Sequence, residues 1–115
     1  KTINVKQEIV STFFDDQRIG LVFKNNSKDS EYTMEVYSMN GQLKFRKNFN
    51  VAYSTIKMSD GNIIMYNSSQ ICVMNSRGVQ KYMGSVDGTI RDFFKIGWNK
   101  YLMVMDNGVS TIKFS

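Results

Sequence analysis

The 115-residue chain predicts an all-β fold of antiparallel, four-stranded, blade-like repeats, and three observations carry that prediction. Short apolar stretches, the longest of them Tyr101 to Met105, lie between polar turns, and none follows the 3.6-residue stripe of an amphipathic helix. Turn pairs recur at Asn40-Gly41, Asp60-Gly61, Asp87-Gly88 and Asn107-Gly108, while the chain has no proline, so its turns rest on residues that tolerate positive φ. Similar text also returns at a spacing of roughly 40 residues, with Ile71 and Val109 38 positions apart, Gly41 and Gly78 37 apart, and Ser11 and Ser54 43 apart across the inserted 24–31 loop.

Taken in order, residues 1–5 (KTINV) alternate, with Ile3 and Val5 on one face, and predict a leading strand. Residues 9–49 form the first repeat. Ile9 to Phe14 and Arg18 to Phe23 are two strands turned at Asp15-Asp16-Gln17, and residues 24–31 (KNNSKDSE) are a wholly polar loop. Tyr32 to Tyr37 resumes as a strand, and the Asn40-Gly41 hairpin leads into Gln42 to Phe49. There Leu43 and Phe45 are expected on one face, with Lys44 and Arg46 on the other.

Residues 54–83 are the second repeat, with strands at Ser54 to Met58, Asn62 to Tyr66, Gln70 to Met74 and Val79 to Met83. Residues 90–114 are a third, incomplete repeat. It has strands at Ile90 to Ile96, Tyr101 to Met105 and Val109 to Phe114, and stops one strand short.

A period near 40 residues carrying four short strands is the pattern of a β-propeller blade, since solenoid repeats of that length are helical. Rings of this kind usually hold about four to eight blades, and about three are present here. The expectation is therefore a piece of a larger propeller, or a chain that completes itself with a second one.

Composition is globular, with 42% hydrophobic and 22% charged residues. No apolar run approaches the ~20 residues that a membrane-spanning helix needs. Net charge is +5 and the isoelectric point about 9.4. The basic residues are nevertheless spread along the chain, so nucleic-acid binding is not expected. The one dense basic stretch is Lys44, Arg46 and Lys47 around Phe45, which makes those three residues the candidate polyanion contact. The single cysteine, Cys72, lies between Ile71 and Val73 and reads as a small buried side chain.

The succession Ser54-Thr55-Ile56, Ile63-Ile64-Met65-Tyr66, Ile71-Cys72-Val73 and Gly78-Val79 is similar to blades of the pyrroloquinoline-quinone-dehydrogenase-like and WD40-like propellers. It also resembles bacterial propeller-like proteins held at the membrane by an N-terminal helix. The Trp-Asp pair of WD40 blades is absent, because Trp98 is followed by Asn99, and no calcium-blade signature is present. The resemblance implies a propeller fold, binding functions and a place outside the cytoplasm on a bacterial cell surface. It also implies a parent that is membrane-anchored, although this chain does not itself span the bilayer. It carries over no cofactor residue.

The sequence argues against catalysis. It has no histidine, which removes the most common general base and the Ser-His-Asp and Cys-His arrangements, and one cysteine cannot make a thiolate zinc site. Asp15, Asp16, Asp87, Asp92 and Asp106 lie at or near turns, where aspartate serves local backbone hydrogen bonds. No phosphate-cradling or dinucleotide glycine pattern is found. No catalytic residue, cofactor or metal is expected.

The aromatics are the remaining lead. Phe13, Phe14, Phe93, Phe94, Tyr53 and Tyr82 read mostly as core, and the same reading covers Trp98 unless it is an exposed contact on the turn Gly97-Trp98-Asn99. The function expected is a non-enzymatic binding or scaffold module, acting on a protein partner or a glycan or by self-association. The alternative is a set of structural blades from a larger propeller enzyme whose catalytic residues lie outside this chain.

Overall fold

Eleven strands, and no helix, make up the described residues, 8–25 and 29–113, of the computed structural model. The fold is all-β, in antiparallel sheets of four, four and three strands with consecutive strands paired. The expected leading strand at 1–5, positions 26–28 of the polar loop and Phe114 at the end of the last expected strand lie outside the described residues. Two compact units divide the chain, Lys1–Val51 and Ala52–Ser115.

The first unit is a meander of β1 (Ile9–Phe14), β2 (Arg18–Lys24), β3 (Tyr32–Ser38) and β4 (Leu43–Phe49). Asp15 closes the first turn by accepting from the amides of Gln17 and Arg18, both at 2.8 Å, which is why a carboxylate stands there. The third turn has Gly41 at φ 87°, a left-handed conformation that glycine adopts without penalty. One face carries Phe13, Val22, Met34 and Val36, all buried. Gly20 pairs with Phe13 across β1 and β2, and the phenyl ring lies over the space where a side chain on Gly20 would stand. Tyr32 and Phe49 stack at 5.3 Å across β3 and β4.

One local expectation is corrected here. Leu43 pairs with Tyr37 while Phe45 pairs with Val36, so a bulge leaves Lys44 as the extra residue. Tyr37 and Val36 point to opposite faces, and therefore Leu43 and Phe45 do too. A two-residue alternation read from sequence cannot register an inserted residue.

The second unit holds two sheets. β5 (Thr55–Ser59), β6 (Asn62–Tyr66), β7 (Gln70–Met74) and β8 (Gln80–Ser85) form one. β9 (Ile90–Gly97), β10 (Lys100–Met105) and β11 (Gly108–Lys113) form the other. Every residue of β6 is buried, which matches its unbroken apolar run.

Ile64, Tyr66, Ile71 and Val73 from one sheet form a single buried cluster with Ile90, Phe93, Tyr101 and Met103 from the other. Phe93 and Tyr101 stack at 5.3 Å, nearly parallel. The Tyr101 hydroxyl accepts a hydrogen bond from the Asn62 side-chain amide and the Tyr66 hydroxyl donates to Asp92, so both polar tips in this layer are satisfied. The opposite face of β6 and β7 carries Ile63, Met65, Cys72 and Met74, also buried. Each such side chain contributes roughly 1.5–3 kcal/mol relative to exposure.

Candidate functional site

Trp98 stands 82% exposed on the β9–β10 turn, the highest exposure of any large apolar side chain among the described residues. The turn is short, and Asn99 takes its left-handed position at φ 50°, a conformation that asparagine tolerates. Neighbouring contacts fix it on two sides. Lys81 Nζ donates to Asn99 Oδ1 at 2.9 Å, which ties the turn to β8. On the other side, the Lys95 amide donates to Ser59 Oγ at 3.2 Å, and Lys95 Nζ lies 3.3 Å from Asp60 Oδ2. These bonds bring the β5–β6 turn to the same end of the unit. The β5–β6 turn is itself tight, with Asp60 at φ 50° and Gly61 at φ 82°. Ile96, 46% exposed, lies two residues before Trp98 at an irregularity in the β9–β10 register. The indole is thus exposed on a two-residue turn and not packed in the core of its unit.

The basic stretch is dispersed. Arg46 pairs with Glu35 and Lys47 with Met34, adjacent residues of β3, so the two cations face opposite ways. Lys44 is the bulge residue and is exposed. Arg46 is also committed within the fold, with Nε donating to Glu35 Oε2 at 2.7 Å and its NH2 group at 2.6 Å from the same oxygen. The Tyr37 hydroxyl donates to Glu35 Oε1 at 2.6 Å. That bond to a carboxylate holds the neutral phenol and pushes the Tyr37 pKa above its usual value, and burial adds to the effect. Beside this group, the Thr33 hydroxyl sits between the side-chain amides of Asn25 and Asn48.

A second polar cluster joins the sheets of the second unit. Lys57 Nζ lies 2.7 Å from Asp92 Oδ1, and the Tyr66 hydroxyl donates to the same oxygen at 3.2 Å. The ammonium also stands over the rings of Tyr66 and Phe94, at 5.7 and 5.6 Å. The lysine holds the Asp92 carboxyl below its usual pKa, helped by the Phe93 amide and against the effect of burial. Burial and the Asp92 charge push the Tyr66 pKa up. Sequence reasoning named Asp92 only as a turn residue and overlooked Lys57. The available signal was a lysine in the middle of the otherwise uncharged Ser54 to Met58 strand.

Two asparagines act locally, as their type predicts: Asn67 accepts from the amides of Ser69 and Gln70, and Asn75 from those of Arg77 and Val79. Asp106, expected to serve its own turn, instead pairs with Arg91, 15 positions away. Among the described residues, no group of three or more His, Cys, Asp or Glu side chains is arranged to hold a metal. No helix among them is long and apolar enough to cross a membrane.

Fold and surface together define an all-β domain of blade-like repeats that presents one large aromatic on a braced turn. The chain belongs to the family of unknown function DUF5711, whose family model matches residues 1–114. No curated protein matches it.

Proposed function

We propose that this chain is a binding or scaffold module, non-enzymatic, whose sheets are blades of a propeller and whose contact surface is the turn bearing Trp98. The observation that carries the reading is the 82% exposure of Trp98 on a turn braced by Lys81 and Lys95. Exposing an indole to water is unfavourable, and tryptophan is enriched where binding energy concentrates. A braced turn also loses little conformational entropy when a ligand docks on it. The partner is a protein or a glycan. The blade-like repeats and the resemblance to membrane-anchored propeller-like proteins support a role on the outer face of a bacterial cell.

The test compares the wild-type chain with Trp98→Ala on glycan arrays and against surface proteins of the source cell, together with thermal melts. Retained melting temperature with lost binding is the expected result. Binding that survives the substitution, or a variant that unfolds, overturns the reading.

A further inference from the structure

A second set of exposed cations lies at one end of the second unit. Arg77 lies on the β7–β8 turn, Lys81 at the start of β8 and Lys100 directly after Asn99, and all three are exposed. The Lys81–Asn99 hydrogen bond joins β8 to the turn of Trp98, which gathers the three cations at one end of the second unit. None of them forms an ion pair with a described residue. The one nearby carboxylate, Asp60, is held by Lys95. An exposed indole face therefore stands among unneutralised positive charges.

We infer that this end of the unit, Trp98 with Lys81, Lys100 and Arg77, binds an acidic polysaccharide, with a sugar ring stacked on the indole and uronate carboxylates at the cations. The inference rests on the reading of Trp98 as a contact and names the class of its ligand. Three observations favour a glycan over other anions. Two of the three cations are lysines, a residue depleted from protein–protein interfaces. A bilayer would have to admit the neighbouring turns with Asp60, Asn75 and Ser76, whose polar groups would lose water. A polymer chain touches only the protruding tip, where the indole offers a flat apolar face and the bonded Lys81–Asn99 pair offers polar groups at a fixed spacing.

The experiment titrates the chain with polygalacturonate and alginate, and with fully methyl-esterified polygalacturonate, which keeps the backbone and removes the charge. Emission from Trp98, the only tryptophan, is the readout. The acidic polymers are expected to shift the emission and shield the indole from acrylamide, with an effect that weakens as salt rises. The esterified polymer is expected to do neither. A Lys81→Glu/Lys100→Glu variant with an unchanged melting temperature is expected to bind at least about tenfold more weakly, or ~1.4 kcal/mol. Lys44→Glu/Lys47→Glu is expected to bind as wild type.

Equal binding of the esterified polymer, no binding of the acidic ones, or tighter binding of poly-glutamate or phosphatidylglycerol vesicles overturns the acidic-glycan assignment. In each of those cases, partner binding that still depends on Trp98 leaves the contact reading intact. If Trp98→Ala binds every partner as wild type does, the contact reading falls as well.

Discussion

Lys57 on β5 and Asp92 on β9 meet at 2.7 Å across the two sheets of residues 52–115, the closest charged contact between those sheets. The pair is set among aromatic rings rather than at a bare surface, since the ammonium also faces Tyr66 and Phe94. It therefore helps to fix the second sheet against the first.

Asp92→Asn is expected to lower the stability of this unit by roughly 0.2–1 kcal/mol at neutral pH, the range for a pair still open to solvent. Asp92 is held below its usual pKa in the folded state. Its contribution is therefore present above the ordinary carboxylate value of about 4 and is lost as the pH falls through the lower folded value. Urea unfolding at pH 7 and at strongly acid pH checks this, with the wild type and variant expected to converge in acid.

Arg46→Ala is expected to cost more, roughly 1–3 kcal/mol, because it leaves the buried Glu35 carboxylate with one hydrogen-bond partner fewer. Glu35→Leu in the same chain is expected to recover most of the loss, and a double-mutant cycle measures that coupling.

Tyr37 is expected to ionise at higher pH than an ordinary tyrosine, since its hydroxyl donates to Glu35. The neutral phenol supports the fold fully below the usual value of about 10, and that support is lost as the pH rises through the raised folded value. Glu35→Gln is expected to bring the ionisation back toward the ordinary value. The difference between the phenolate absorbance titrations of the two chains reports it.

Phe93→Ala and Trp98→Ala are expected to separate core from surface. Phe93 is fully buried and stacked on Tyr101, so its loss is expected to cost about 3–5 kcal/mol. Trp98→Ala is expected to change stability by no more than about 0.5 kcal/mol. Chemical denaturation of the two variants gives both numbers.

Gly20→Ala is expected to destabilise the first unit by roughly 1–3 kcal/mol, because its methyl group would enter the ring of Phe13. Phe13→Leu in the same chain is expected to relieve the clash, and thermal melts of the single and double variants test it.

Strand existence and type were legible because each strand is bounded by a turn whose chemistry is local. Asp15, Asn67 and Asn75 each satisfy backbone amides two to four residues away, so the sequence around them suffices. Side-chain partnership was much less legible. Lys57 meets Asp92 35 positions away, and Lys81 meets Asn99 18 positions away. Both depend on how sheets pack, which local pattern does not encode. The bulge at Lys44 shows the same limit within one strand: a single unpaired residue put Leu43 and Phe45 on opposite faces, where simple alternation places them together.

Trp98 and Cys72 are each the only residue of their type in the chain, and they occupy opposite extremes of exposure, 82% and 0%. The molecule thus carries two built-in reporters that do not interfere. The indole registers encounters at the surface without any opening of the fold. The thiol, sealed within β7, becomes accessible to a labelling reagent only when that sheet opens, so its modification rate times the breathing of the second unit. One chain can therefore report the surroundings of its surface indole and the opening of β7 by separate signals.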